Sequence, residues 1–262
     1  MTIFKLSNFF LIAGPCVVEN QEIGFEVAET LVSITQKLNI PFYFKASFKK
    51  ANRTSIHSFS TIGETKALQI LADIKSKYQV QILTDVHESS DIEKVKDIVD
   101  VIQIPAFLCR QTDLILAAAK TEKIINIKKG QFANAIQMQF AADKVRSVGN
   151  DNIWLTERGN SFGYQDLVVD FRNIPLLKTN HCKAIIDITH SIQQPNSTEG
   201  KTLGTPEFIE LIAKCGIVAG ADGLFLETHP NPSNALSDGS NMIALNKVEN
   251  LLSKLQKIAA VL

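Results

Sequence analysis

The run Phe42-Tyr43-Phe44-Lys45-Ala46-Ser47-Phe48-Lys49-Lys50-Ala51-Asn52-Arg53-Thr54-Ser55 places four cations within nine residues. Its first part reads as a buried strand and its second as a loop. Desolvating unpaired ammonium and guanidinium groups is costly, so positive charge gathered at a buried strand end implies an anionic partner. Phosphate or carboxylate fits. Lysine supplies a point charge, the arginine fork binds phosphate oxygens in pairs, and Ser47, Asn52, Thr54 and Ser55 add neutral donors. Taken alone, the same cluster also reads as a solvated basic turn.

The surrounding elements favour the anion site. Short apolar, β-rich runs alternate with longer helical patterns, as in βα units around a parallel sheet. The pattern predicts strands at Phe9–Ala13, Pro41–Ala46, Gln81–Asp85, Val99–Ile104, Lys123–Lys128, Ile153–Glu157, Ala184–Thr189 and Gly223–Glu227. Amphipathic stretches include Glu22–Leu38, Glu64–Tyr78, Gln137–Val148, Pro206–Ala219 and Ala244–Ala260, with Thr205 as an N-cap and Pro206 at the first helical position. Eight strand–helix units in 262 residues point to an α/β fold, a single-domain (β/α)8 TIM barrel over 1–262. An open doubly wound sheet would also alternate, but no Gly-x-Gly-x-x-Gly follows the first strand.

A barrel places its chemistry at the C-terminal ends of its strands. Those ends carry Cys16, Lys45 with Ser47, Asp85 with His87, Gln103, Lys128, Arg158, Asp187 with His190, and Glu227 with His229. Cys16, His190 and Glu227 close the first, seventh and eighth strands, neighbours around a barrel, and Asp238 follows in the next loop. Thiolate, imidazole and two carboxylates together suit Zn²⁺, Fe²⁺ or Mn²⁺ and are too soft a set for Mg²⁺ or Ca²⁺. Singly, each also reads as an ordinary buried or capping residue, and their spacing carries no ligand signature. His181 and Cys182 precede the seventh strand, at the wrong end of the barrel.

Composition narrows the function classes. The 27 cations balance 27 anions, so no global field draws nucleic acid or anionic membrane. The opening Met1-to-Ala13 segment reads as a first strand, lacking the cleavage pattern of a signal peptide, and no apolar run approaches the ~18 residues of a membrane span. Cys16, Cys109, Cys182 and Cys215 form no Cys-x-x-Cys pair, which points to a reducing, cytoplasmic setting.

Seven longer motifs, in chain order, carry a resemblance: Lys45-Ala-Ser-Phe-Lys-Lys-Ala-Asn-Arg-Thr-Ser55, Thr84-Asp-Val-His-Glu88, Gln103-Ile-Pro-Ala-Phe-Leu-Cys-Arg-Gln-Thr-Asp113, Asn126-Ile-Lys-Lys-Gly-Gln-Phe132, Glu157-Arg-Gly-Asn-Ser-Phe-Gly-Tyr164, Asp187-Ile-Thr-His190 and Leu226-Glu-Thr-His229. The chain resembles the 3-deoxy-D-manno-octulosonate 8-phosphate synthases over nearly its whole length. These condense phosphoenolpyruvate with arabinose 5-phosphate and release inorganic phosphate, feeding lipopolysaccharide synthesis. The resemblance implies that Lys45, Ser47 and Gln131 take the phosphoenolpyruvate carboxylate, and that Lys128, Arg158 and the backbone around Ala106 take its phosphate. Gln103 belongs to the same substrate-binding set. Asn52, Arg53 and Thr54 would hold arabinose 5-phosphate, with Arg110 reaching its phosphate from a neighbouring subunit of a homotetramer.

Lys50 would lie between the substrates, and with Asp85 and His190 would make up the catalytic group. In this family a cysteine after the first Gly-Pro marks the metal-dependent kind, so Cys16, His190, Glu227 and Asp238 are implied as ligands of one divalent ion per subunit, without an organic cofactor. Ser191–Gly204 would form a lid over the mouth. Its single cation, Lys201, departs from the Gly/Arg-bearing form of the family. Thr54 stands where many members carry serine, and Gly130 replaces a frequent proline.

Three rivals remain at this level. A sister synthase using erythrose 4-phosphate usually carries Lys-Pro-Arg-Thr-Ser, where this chain has Ala51-Asn52 before Arg53. A Schiff-base aldolase would use Lys45 or Lys128, and borohydride would trap it. A binding barrel without turnover would retain the pocket alone.

Overall fold

The computed structural model describes residues 9–53, 55–162, 166–194 and 203–262. Eight parallel strands close into a barrel: β1 (Phe10–Gly14), β2 (Phe42–Lys45), β3 (Gln81–Asp85), β4 (Val101–Ile104), β5 (Ile124–Lys128), β6 (Ile153–Glu157), β7 (Lys183–Asp187) and β8 (Gly223–His229). They neighbour one another in chain order, and β1 pairs with β8 to complete the ring, Phe10 opposite Gly223 and Gly14 opposite Glu227. This is the (β/α)8 TIM barrel expected from the alternating pattern. The predicted strand bounds hold to within two residues.

Helices α1 (Gln21–Lys37), α2 (Glu64–Tyr78), α3 (Ser89–Val95), α4 (Thr112–Ala119), α5 (Gln137–Arg146), α6 (Asn173–Lys178), α7 (Ile209–Val218) and α8 (Val248–Ala259) cover the outside. The short α3, α4 and α6 complete the eight expected strand–helix units, and their bounds are not readable from the sequence because fewer than three turns give little periodicity. Thr205 occupies the expected N-cap position and Pro206 the first position of a 3-10 turn, Pro206–Phe208, that leads directly into α7 at Ile209, but the Thr205 side chain makes no cap bond. The Thr205 hydroxyl instead donates to the Ile192 carbonyl at 3.5 Å.

Strand alternation divides the core into two. Residues pointing outward, such as Leu11, Phe44, Ile82, Ile102, Ile125 and Leu224, pack under the helices. Inward, Phe10, Ile12, Leu83, Val101, Trp154, Ile185 and Phe225 fill the barrel, and Phe10, Tyr43 and Trp154 stack into an aromatic plug at its N-terminal end. On seven strands the next inward position, two residues on, lies toward the opposite mouth and is polar: Lys45, Asp85, Gln103, Asn126, Thr156, Asp187 and Glu227, with Lys128 one inward step beyond Asn126. A packed floor thus presents a ring of charge. Gly14 is required here, because a Cβ would fall 2.0 Å from the Lys45 carbonyl oxygen.

Of the expected lid, Ser191–Gln194 and Leu203–Gly204 are described. Gln193–Gln194 pairs antiparallel with Leu203–Gly204, and Lys201 lies outside the described residues, as does Thr54. Among the described residues, no helix is long and apolar enough to cross a membrane.

Candidate active site

The cations of the mouth are buried beside anions. Lys45 Nζ lies 2.6 Å from Glu227 Oε1 and 2.9 Å from the Cys16 carbonyl. Lys128 Nζ lies 2.6 Å from Asp187 Oδ2 and 3.5 Å from the centre of the Phe225 ring. Burial pushes the Lys128 pKa down and outweighs Asp187 and Glu227. At Lys50 burial also opposes the charge, but Cys16, Asp85, Glu227 and Asp238 prevail and raise the pKa above the ordinary lysine value. Lys50 is therefore held as a cation facing the cavity. Asp85 accepts a short bond from the Ser47 hydroxyl and lies 3.2 Å from His87 Nε2. Burial alone would raise the Asp85 pKa, yet Lys50, His87 and Lys45 hold it well below the carboxylate range.

The loop after β1 continues the sheet. Val18 N–H donates to the Ser47 carbonyl and Ser47 N–H to the Cys16 carbonyl, at 3.0 and 3.2 Å, which fixes Cys16 beside the β2 end. Cys16, Glu227 and Asp238 bring ligand atoms within 4.8 Å of one another. The Cys16 thiol donates to Asp238 Oδ2 at 3.1 Å and lies 3.0 Å from Ser237 Oγ. Burial, then Glu227, pushes the thiol pKa up. His190 stands outside the 4.8 Å set, with Nε2 3.6 Å from Glu227 Oε2. Its Nδ1 lies 2.8 Å from Asp187 Oδ2 and 3.3 Å from Lys128 Nζ; the shorter contact is to an ionised carboxylate that can only accept, which assigns the proton to Nδ1. Asp187 also accepts from the His190 amide at 2.8 Å.

This donor set fits a divalent metal. Glu227 Oε2 is buried without a hydrogen-bond partner, and the His190 nitrogen facing it is the one Asp187 leaves free. An imidazole whose second nitrogen donates to a carboxylate is the usual arrangement at a metal. Thiol, imidazole and two carboxylates match the softness expected of a Zn²⁺, Fe²⁺ or Mn²⁺ site.

A second group of unsatisfied atoms faces the same mouth. Arg158 donates through one terminal nitrogen to the His190 carbonyl at 3.0 Å and to Gln193 Oε1 at 2.5 Å, while its Nε is buried without a partner. Gln131 Oε1 is likewise unpartnered. Beneath them Glu157 accepts from the Arg158 and Gly159 amides at 2.9 and 2.6 Å, and buried Lys129 donates to the Gly159 carbonyl and to Asn160 Oδ1. Ala106 opens a 3-10 turn, where the first amides lack helical acceptors. The Gln103 side-chain oxygen Oε1 accepts from Asn126 Nδ2 at 2.9 Å within the barrel.

The remaining predicted residues lie further out. Arg53 donates from Nε to the Phe59 carbonyl at 2.8 Å and keeps one terminal nitrogen buried and unpartnered. Asn52 and Arg110 are exposed. No local pattern marks Ser237, Gln193 or Glu19, whose positions beside Cys16, Arg158 and the Asp238 loop depend on contacts across the barrel top.

The profile of the DAHP synthetase I family matches residues 5–262. A 2-dehydro-3-deoxyphosphooctonate aldolase from Desulfotalea psychrophila is 50% identical over 250 residues, covering 95% of this chain and 89% of its own. Proteins of the same name from Koribacter versatilis and Francisella tularensis subsp. holarctica are 47% and 46% identical, over 96% and 97% of this chain and 91% and 94% of theirs. The chain belongs to the DAHP synthetase I family and, within it, to the 2-dehydro-3-deoxyphosphooctonate aldolases, also known as 3-deoxy-D-manno-octulosonate 8-phosphate synthases.

Proposed function

We propose that the barrel mouth condenses phosphoenolpyruvate with D-arabinose 5-phosphate and water, giving 3-deoxy-D-manno-octulosonate 8-phosphate and inorganic phosphate for lipopolysaccharide precursor synthesis. The observation that carries this is the convergence of Lys45, Lys128 and Arg158 at one buried mouth, with the Arg158 Nε–H donor left unsatisfied. Lys128, Arg158 and the Ala106 amide bind the enol phosphate, while Lys45, Ser47 and Gln131 bind its carboxylate. Lys50, Arg53, Asn52 and Thr54 hold the second substrate over it. Fixing both charged ends of one substrate and the phosphate of the other brings the two reacting carbons together.

Carbon 3 of phosphoenolpyruvate bonds to the sugar aldehyde carbon, the aldehyde oxygen takes a proton, water adds to carbon 2, and the carbon–oxygen bond to phosphate breaks. Lys50, kept cationic by its anionic neighbours, stabilises the charge that develops on the aldehyde oxygen. Asp85, kept ionised, accepts the proton released by the attacking water. Cys16, His190, Glu227 and Asp238 hold one divalent metal, which when bound supplies Lewis-acid polarisation at the sugar end. Asp187 orients His190 for that role and pairs with Lys128, linking the metal and phosphate sites.

The enzyme works as a homotetramer in which Arg110 of one subunit reaches the sugar phosphate bound by another. Exposed Phe107, Phe132, Ile136, Phe140 and Phe162 come from the same side of the barrel as Arg110 and supply apolar surface for that packing. Four free cysteines accord with a reducing cytoplasm.

Phosphate release from phosphoenolpyruvate tests the reading, run with arabinose 5-phosphate and erythrose 4-phosphate side by side, with and without chelator. Release with arabinose 5-phosphate alone, lost with chelator and restored by metal, is the expected result. Preference for erythrose 4-phosphate would assign the sister reaction, and chelator-resistant turnover would remove the metal from the mechanism.

A further inference from the structure

We infer that Glu19 is a positioning residue that ties the loop bearing Cys16 to the loop bearing Asp238 and thereby sets the geometry and affinity of the metal site; the inference rests on the metal reading above. Glu19 is buried, at 8% exposure, and none of the chemistry assigned to the mouth uses it. It lies three residues after Cys16 and directly before Asn20, the N-cap of α1, whose side chain accepts the Ile23 amide at 2.8 Å. On that side its backbone is fixed by the cap and by the Val18–Ser47 bond.

From this anchor Glu19 Oε1 accepts the Leu236 amide at 2.8 Å, two residues before Asp238. Its other oxygen faces His229 Nε2 at 3.7 Å, and His229 lies two residues beyond Glu227 on β8. One carboxylate thus contacts the three segments that carry Cys16, Glu227 and Asp238. His229 Nδ1 lies 2.7 Å from the Asn231 carbonyl oxygen and 3.0 Å from the Asn231 amide, so the contact is made by a fixed ring.

The Asp238 loop needs such an anchor. Asn234 N–H donates to the Asn231 carbonyl at 3.0 Å, and a Cβ on Gly239 would fall 2.1 Å from the Pro232 carbonyl oxygen. The loop therefore closes tightly on itself as a unit. Asp238 sits in the left-handed region, φ 51°, which is uncommon for non-glycine residues though less so for Asp, so its placement depends on the turn around it. Where this unit sits relative to Cys16 is set by what binds it to the barrel, and the Glu19–Leu236 bond does so from the Cys16 loop itself.

The test uses the full chain, metal-depleted and titrated with Co²⁺, reading affinity by chelator competition together with the near-ultraviolet sulfur-to-cobalt absorption. Glu19→Ala removes the acceptor, and Glu19→Asp withdraws it by one methylene while keeping the charge; both are expected to weaken Co²⁺ binding by about tenfold or more and to shift the sulfur band. Glu19→Gln keeps an acceptor for the Leu236 amide and is expected to stay within about threefold of the unsubstituted protein. Phosphoenolpyruvate affinity by calorimetry should hold in all three, because the Lys128 and Arg158 cradle does not touch Glu19. If Glu19→Ala fails to fold, Glu19→Asp decides. Unsubstituted Co²⁺ affinity and sulfur band in the Ala and Asp variants would overturn the inference, as would a Gln variant as weak as Ala. Absence of a sulfur band in the unsubstituted protein would overturn the metal reading, and this inference with it.

Discussion

Lys45 and Glu227 form a buried ion pair at 2.6 Å, joining a residue assigned to the phosphoenolpyruvate carboxylate with one assigned to the metal. Each neutralises the other, as Lys128 and Asp187 do at 2.6 Å, so the pocket desolvates these four charged side chains without leaving any of them isolated. Removing one partner leaves an uncompensated buried charge, which typically costs about 3–5 kcal/mol. Lys45→Met is therefore expected to lower the unfolding free energy in chelator by about that amount, while Lys45→Met with Glu227→Leu costs less than the sum of the single changes. Urea unfolding of the four proteins gives the cycle. Strict additivity would mean the two side chains are energetically independent.

Cys16→Ala separates the metal from the enol phosphate. Lys45 is held by the Cys16 carbonyl, which alanine retains, and Lys128 and Arg158 do not contact the thiol. Turnover should fall by about a hundredfold or more with loss of the polarising ion, while phosphoenolpyruvate affinity shifts by less than about threefold. Calorimetry with phosphoenolpyruvate alone checks the second part. An equal loss of both would place the thiol in the phosphoenolpyruvate site.

Legibility in the sequence followed the range of the interactions. The barrel and its strand-end ring were readable because alternation along each strand decides burial locally, so Lys45, Asp85, Asp187 and Glu227 occupy the inward register two residues above the apolar floor and Lys128 the same register four residues above it. Lys45-to-Glu227 and Lys128-to-Asp187 pairing was not readable, since it depends on which ring members face across the mouth. Glu19, Gln193 and Ser237 escaped for the same reason: each acts through a partner at least 35 residues away. The Thr205-Pro206 pair marked the start of the last-but-one helical segment correctly, while the 3-10 geometry of its first turn and the missing side-chain cap bond were not readable, since the Thr205 hydroxyl turns to the Ile192 carbonyl.

Asp91 predicts an acid-sensitive brace under the mouth. Its carboxylate accepts the His87 and Glu88 amides at 3.0 and 3.1 Å and pairs with Lys49 at 2.7 Å, tying the β3 end to the cationic loop. Burial would raise its pKa, but Lys49 and the His87 amide lower it below the usual 3.8. A depressed carboxylate contributes stability above its unfolded pKa and loses it as pH falls through the folded value. Asp91→Asn should therefore cost about 1–3 kcal/mol at pH 7, with the gap to the unsubstituted protein narrowing below pH 3.8. Urea midpoints measured from pH 7 to pH 3 test this. A constant gap would assign the cost to lost packing.

Arg158→Lys tests whether the guanidinium grips phosphate or merely braces the top of the barrel. One terminal nitrogen already serves the His190 carbonyl and Gln193, and the buried Nε is left over. A lysine can replace one of these functions but not both, because its ammonium is a single point and lacks the fork that engages two oxygens. The expected result is a rise of about tenfold in the dissociation constant for phosphoenolpyruvate, near 1.4 kcal/mol, with little change in thermal unfolding. A fall in melting temperature with unchanged phosphoenolpyruvate affinity would make Arg158 a structural strut and leave the phosphate to Lys128 and the Ala106 amide.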